Sequence, residues 1–397
     1  MKRLRTRGEL GVSATVIIAP KLIERNVKSA DLLYEASNLW NGLSSFRKSI
    51  KRCREYTFGK QWGDIIENPD ATSSKDKYIT EEQHIINQGK APLKNNMIRQ
   101  FVKAVIGQFA SVKTEPFVVA SDRDEQTLGE MMSIMMKYTY NLNKLWDIDR
   151  RTFERFLISG IACHKITYGW NDALCKQDAF VKVVNPNNLF FDNTMEDLRY
   201  WDCSVIGEIY DLSIEDVISG FCDGDSNKSK WLRDIYRGIT GDRISTVIEG
   251  LTSKKIDNTS ALIASDINMC RVIEIWRKES KERIKCHDTM KGEYYKIDVE
   301  ELPIIIEENE RRNIQYKGAG YSQYDVPLIE TQYFVDRYWV GRWLTPYGDI
   351  LREIETPYWH KSHPYVLALY PFYDGEVQTF VEYIIDQKKY LNRLINM

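Results

Sequence analysis

The sequence predicts an α+β chain, helical at first and strand-rich later. Three observations carry that expectation. Apolar residues recur three and four apart up to about residue 160, they alternate from Ile161 onward, and helical spacing returns in the final stretch, VEYIIDQKKYLNRLINM. A period of 3.6 gathers apolar side chains on one face of a helix, whereas a period of two gathers them on one face of a strand.

With 397 residues, 43% hydrophobic and 28% charged, the chain is long enough for two or three packed units. No run of about 18 uncharged apolar residues occurs, so neither a membrane span nor a membrane partner is expected. The start, MKRLRTRGELGVSATVIIAP, is basic, but its apolar stretch is short and interrupted, a poor secretory signal that reads as a basic arm. The cysteines, Cys53, Cys163, Cys175, Cys203, Cys222, Cys270 and Cys286, are odd in number and scattered, with no CxxC. That pattern indicates neither a disulfide framework nor a zinc site, and a reducing cytoplasm is the expected folding compartment. The net charge of −2 hides an asymmetry: residues 1–60 hold thirteen Lys and Arg against five Asp and Glu, a local +8, which leaves −10 for the rest. A protein that grips nucleic acid tightly shows a basic excess over its binding domain, because each Lys or Arg on a phosphate releases a counterion. This chain does not.

Residues 29–56 place Leu33, Leu39, Trp40, Leu43, Phe46 and Ile50 at helical spacing and predict one helix, turning at Phe58-Gly59-Lys60. Gly63 to Gln88 is polar and rich in turn formers and predicts a long surface loop. Asn95 or Asn96 can cap the next helix, MIRQFVKAVIGQF, in which Met97, Phe101, Val105 and Phe109 are in register. Residues 127–146 set Leu128, Met131, Met135, Tyr138, Leu142 and Leu145 three and four apart and predict a second helix; Arg151 to Gly160 begins a third. From Ile161, ACHKITYGW alternates and FVKVVNP resumes after a polar loop, a β-hairpin ending at Pro186. DLSIEDVISGF predicts a short helix capped by Asp211 or Ser213. CRVIEIWRKE and GEYYKI predict strands, and VEELPIIIEENERRNIQ a helix with Pro303 in its first turn. TQYFVDRYWVGRWL then alternates, Thr345-Pro346-Tyr347-Gly348 supplies a turn, and ILREIE returns. The last helix follows Asp374-Gly375. Its apolar positions, Val377, Val381, Ile384, Leu391 and Ile395, are broken only by Lys388 and still run at the chain's end.

Enzymatic chemistry finds little foothold. Cys163 and His164 are the nearest approach to a nucleophile and base, but neighbours on a strand point to opposite faces. Asp223, Asp225 and Asn227 in CDGDSNKSKWLRD echo a calcium loop, yet Lys228 stands where Gly is needed and Asp234 where a bidentate Glu is needed. His360 and His363 in WHKSHP allow a metal pair, though a turn with two exposed imidazoles is the plainer reading. Neither GxxxxGK[ST] nor GxGxxG occurs, and no catalytic residue, metal or cofactor is expected. Aromatics are another matter. Tyr333, Tyr338, Trp339, Trp343 and Tyr347 crowd one hairpin with Arg337 and Arg342, a mixture enriched where proteins bind proteins. A small hairpin buries one face only, so Arg337, Trp339, Arg342, Trp343 and Tyr347 are the partner-binding candidates.

Taken in order, several segments resemble the portal proteins of tailed bacteriophages, in particular the large portals of short-tailed and crAss-like phages. They are EYTFGKQW, APLKNNMIRQFVKAVIGQF with the extended KTEPFVV after it, TFERFLISGIACHKITYGW, VVNPNNLFFDN and CRVIEIWRK. YWVGRWLTPYGDIL, HPYVLALYPFYDG and VEYIIDQKKYLNRL complete the set. Each is a loose pattern, and together they cover most of the chain in the family's order.

The resemblance implies an elongated portal-type subunit with a mixed helical and β wing, a two-helix stem and a small β-rich clip. Residues 1–298 would form the wing, helical to about 160 and β-rich after it. Residues 299–315 would be the first stem helix, 316–373 the clip, and 374–397 a second, incomplete stem helix, so the chain is expected to be a truncated portal. A portal is no enzyme. It is a ring-forming subunit, a dodecamer in the family, at the unique capsid vertex of the virion, and in the host cytoplasm during assembly. Its partners would be further copies of itself, the major capsid protein, the terminase large subunit, the head-tail adaptor, and double-stranded DNA. The DNA would pass through the channel during packaging and ejection without sequence specificity. A channel rich in Lys and Arg would bind phosphates, whereas an acidic lining lets the duplex slide. Glu300, Glu301, Glu307, Glu308 and Glu310 make the first stem helix acidic, and Lys388, Lys389 and Arg393 on the return helix are the DNA-channel candidates. The basic arm is expected at the outside of the ring. The last helix is expected to lie along 299–314, with Ile384 and Leu391 against Leu302, Ile305 and Ile306. The alternative is a cytoplasmic hydrolase using Cys163 and His164, or a metal at His360 and His363.

Overall fold

The computed structural model of the chain describes residues 29–68, 77–92, 95–112, 115–171, 173–197, 200–222, 224–236, 262, 264, 269–318, 326–370, 372–373 and 376–396. The basic arm at 1–28 lies outside the described residues, as does Asp223 of the calcium-like loop. Helix and sheet are mixed, as the sequence predicts.

The first predicted helix is two. α1 (Ser29–Gly42) and α2 (Ser44–Thr57) meet where Gly42, a poor helix former, precedes a Leu43 side chain turned into the core. The expected loop after Gly63 holds a paired β1 (Ile65–Glu67) and β2 (Tyr78–Thr80) and a short helix, α3 (Glu81–Asn87). Its signal is present in the sequence, because Thr80 and Gln83 form a capping box. Asn96 caps α4 (Met97–Ser111), accepting from the Arg99 N–H at 3.1 Å. α5 (Gln126–Leu142) stops before Leu145 because Lys144 turns left-handed, with φ 51°. α6 (Leu145–Ser159) therefore starts ahead of the expected Arg151 and ends at Gly160, φ 72°, where an added Cβ would meet Val377 Cγ1 at 2.4 Å.

The strands that follow are β3 (Ile161–Asn171), β4 (Lys176–Val183), β5 (Leu189–Phe191), β6 (Val205–Leu212), β7 (Cys270–Asp288), β8 (Glu293–Asp298), β9 (Ile329–Leu344), β10 (Ile350–Glu355), β11 (Tyr365–Leu369), β12 (Phe372–Tyr373) and β13 (Glu376–Val377). Among and after them come helices α7 (Ile214–Phe221), α8 (226–236), α9 (Leu302–Gly318) and α10 (Phe380–Asn396). β11-β3-β4 form an antiparallel sheet in which His164 stands opposite Val183 on one side and Val366 on the other. The Asn143 side chain donates to Ala179 O and accepts from the Val181 N–H, closing the free edge of β4. A second sheet runs β10-β9-β7-β6-β5, with β8 on β7. Ser213 caps α7, while Asp211 pairs with Arg271.

The chain divides into two compact units. The larger holds Leu32–Ile275, Trp343–Arg352 and Pro364–Met397. There α2, α4, α6 and α10 enclose Cys53, Tyr56, Ile98, Val102, Leu157, Ile158, Val381 and Ile385. The smaller is built on Trp276–Arg342 and Glu353–His363, around Ile284, Cys286, Ile305 and Ile329. α9 seats Ile305, Asn309 and Arg312 on that core. The Asn309 amide donates to Ile329 O and accepts from its N–H, and Arg312 grips both Asp288 oxygens at 2.8 Å. Those two bonds hold the Asp288 carboxyl far below its usual range.

Each of the two expected stem helices packs within its own unit. Ile384 packs at the edge of the α2, α4 and α6 core and Leu391 is exposed, while Ile305 is buried within the smaller unit's own core and Ile306 is exposed. Both helices also bury polar side chains, Asn309 and Arg312 on α9 and Lys388 and Asn392 on α10. Residues 316–373, expected as one clip, are divided between the two units.

Candidate docking and channel residues

The hairpin candidates separate by strand position. Trp339 is 5% exposed, with Lys278 over its ring and the His363 imidazole against it edge-on. Arg342 is buried between Glu279 and Glu353; burial alone would lower its pKa, and the two carboxylates outweigh that and raise it. Trp343 packs on Phe221 and donates its Nε1–H to Glu274 at 3.1 Å. Arg337 and Tyr347 are exposed. β9 has β10 on one side and β7 on the other, and nearly every residue from Trp339 to Leu344 is buried. Its neighbours pair the edges, and side chains from other segments cover its residues, His363 at Trp339 and Phe221 at Trp343.

Around the indole of Trp343 lies a buried polar cluster. Glu274 is fully buried, pairs with Lys165 and also accepts from the Tyr210 hydroxyl at 3.3 Å. Nearby, burial pushes the Glu208 carboxyl up to about 7, with Lys165 opposing and Glu274 adding to the rise.

The channel candidates sit on α10. Lys388 is 3% exposed, its Nζ has no hydrogen-bond partner among the described residues, and burial lowers its pKa. Lys389 pairs with Asp64 and lies 3.7 Å from Glu81, and Arg393 reaches Glu81 at 2.9 Å with its side chain 62% exposed. Burial alone would raise the Asp64 carboxyl, but hydrogen bonds from Arg52 and Lys389 outweigh it and hold it low. Asn392 donates to Gln61 at 3.0 Å, and Gln61 in turn donates to the cap residue Asn96. Of the three basic residues, Arg393 is the one with an open side chain.

The enzyme-like candidates are not brought together. Cys163 is buried, which pushes its thiol up, and its sulfur lies near the His164 carbonyl rather than the imidazole. The His164 Nε2 lies 2.7 Å from Thr152 Oγ1. His360 Nε2 lies 3.4 Å from the His363 carbonyl with its ring stacked on Tyr358, while the His363 imidazole meets Trp339. Among the described residues no group of three or more His, Cys, Asp and Glu is placed to hold a metal. Sequence spacing does not single out Trp359, which stands beside the His360 and His363 pair. It is 99% exposed beside the turn made by Tyr358 and a left-handed Lys361.

The sequence model of the phage P22-like portal protein matches residues 41–396. The chain belongs to that family. Phage portals are components of the virion capsid, and the resemblance stated from the sequence holds over nearly the whole chain. No curated protein matches the chain. Among the described residues of this portal protein, no helix is long and apolar enough to cross a membrane.

Proposed function

We propose that this portal chain assembles with further copies of itself into a ring, a dodecamer by resemblance, at the unique vertex of a phage capsid. The ring conducts double-stranded DNA during packaging and ejection, meets the major capsid protein at its rim, and docks the terminase large subunit and the head-tail adaptor. The supporting observation is the family match over residues 41–396. In this reading 299–315 and 374–397 are stem helices and 316–373 the clip. Within the docking set, Arg337 on β9 and Tyr347 in the turn after it make partner contacts, while Trp339, Arg342 and Trp343 hold the strand in place. Within the channel set, Arg393 meets the duplex, Lys389 anchors the helix through Asp64, and Lys388 packs by its aliphatic stem. A single basic contact per subunit suits a channel through which DNA must slide, because phosphate affinity climbs with each neutralised charge. Negative-stain microscopy of the purified chain tests the ring: annular particles are expected, and a uniform population of monomers overturns it.

A further inference from the structure

We infer that the outward apolar face of α5 is covered by a second copy of this chain. The identity of the partner rests on the ring proposed above; the place of contact rests on the helix itself. Leu128, Met131, Met132, Ile134, Met135 and Met136 are each between 40% and 69% exposed. At about 100° per residue Leu128, Met131, Met132, Ile134 and Met135 fan over one side of α5, Gly129 and Ser133 lie on the other, and Met136 stands at the boundary beside Gly129. That other side is the one turned to the chain. Ser133 Oγ accepts from the Val118 N–H at 2.9 Å, and a Cβ on Gly129 would stand 3.3 Å from Ala120 N. The small residues let the segment 115–120 lie close, so larger apolar side chains cannot take that side without pushing it away. α5 is amphipathic in the reverse sense to a helix that covers its own core.

Exposure continues into the neighbouring segment, where Phe117 and Val119 are 75% and 74% exposed. At roughly 100 Å² of open surface per side chain, the outward apolar groups of α5 with Tyr138 offer on the order of 700 Å², above the 300–600 Å² patch usual on a monomer and near the ~800 Å² that each partner gives a standard interface. Charge selects no polar occupant. Glu130 and Lys137 are the charged residues of α5, and Lys137 already pairs with Glu115 at 2.6 Å. Methionine, unbranched and polarizable, suits a contact that must adapt to a separate molecule. A closed ring of identical subunits also needs two unlike patches per chain. The same unit presents a second strip at alternate positions of β3, with Ile166, Tyr168 and Trp170 between 42% and 63% exposed.

The test compares the wild type with Met131→Glu/Met135→Glu and Met131→Leu/Met135→Leu, using sedimentation for mass and circular dichroism for melting. Met132 and Met136 are followed by dilute-peroxide oxidation and mass spectrometry, since sulfoxide forms only where the thioether is reachable. The wild type and the Leu variant should sediment as one assembly with slow oxidation. The Glu variant should fall to monomer, keep its far-UV circular dichroism and a cooperative melting transition, lowered only by the loss of association, and oxidise fast. A Glu variant that keeps the wild-type mass overturns the inference and leaves the ring standing. A wild type that forms a small symmetric oligomer, dissolved by the Glu pair, removes the ring and keeps the covered face. A monomeric wild type overturns both, as does slow oxidation in a monomer, which would mean that the chain covers its own helix. A Glu variant that cannot fold also overturns the inference, because the face would then belong to a core.

Discussion

The strand β9 carries Trp339 and Trp343 interleaved with arginines and buries nearly everything from Trp339 to Leu344, whereas α5 carries Leu128, Met131 and Met135 at core-helix spacing and shows them all to solvent. By composition the roles would be exchanged. Periodicity names the element and its apolar face, but what that face meets is set by neighbours from elsewhere in the chain. β9 receives β7 and β10 along its two edges, while α5 spends its inner side on Gly129, Ser133 and the segment 115–120. Aromatic content marks an interface only when the strand that carries it has a free face.

Mutations can break this contrast. The largest effect is expected at Trp339→Ala, which empties a buried indole site and should cost about 3–5 kcal/mol in chemical denaturation. A loss below about 1 kcal/mol would put Trp339 at the surface and undo the contrast. Gly341→Ala should cost about 1–3 kcal/mol, because its Cβ would stand 2.7 Å from the Trp276 ring, which is wedged in the same core. An unchanged melting curve would mean that β9 is loosely covered.

Glu208 probes the polar pocket that receives Trp343. Its carboxyl is raised from 4.5 to about 7 in the folded chain, so folding takes up a proton between those values. Stability should therefore decline as pH climbs from about 4.5 to about 7 and then level off, and Glu208→Gln should remove that decline, on the order of 3 kcal/mol. Denaturation midpoints at pH 4.5 and 7.5 would show it, and a slope unchanged by the substitution would count against the buried cluster. On α5 the effects should be smaller. Ser133→Ala forfeits the bond to Val118 and should cost about 1 kcal/mol, read in the same titration. Met135→Gln, on the outward side, should shift the stability of the dissociated chain by less than about 0.5 kcal/mol, and a larger loss would mean that α5 faces inward after all.

Local grammar was legible where it is written in neighbouring residues. Asn96 and Ser213 cap the helices that the spacing assigned to them, and the turn at Thr345 closes as the Pro-Tyr-Gly order suggests, with the Thr345 N–H bonded to Asp349 O at 2.9 Å. The capping box at Thr80 is equally legible, but the charged, turn-rich surroundings of α3 mask it. The candidate site was harder to read. Lys388 looked like a break in an apolar stripe, yet it and Asn392 occupy buried positions of α10, since Gln61 takes up the Asn392 amide. Lys389 looked free for DNA, but its carboxylate partners, Asp64 and Glu81, lie more than three hundred residues earlier.

By itself the sequence determined the alternation of helix and strand, most caps and turns, and membership of the portal family, because each depends on residues close together or on their order along the chain. Only the tertiary structure decided which tryptophan is core and which, like Trp359, is open, which lysine is paired, and that the methionines of α5 look outward. Burial and ion pairing are properties of distant segments meeting. A side chain's spacing fixes its direction from the backbone, and the free energy of that direction is set by whatever stands there to receive it.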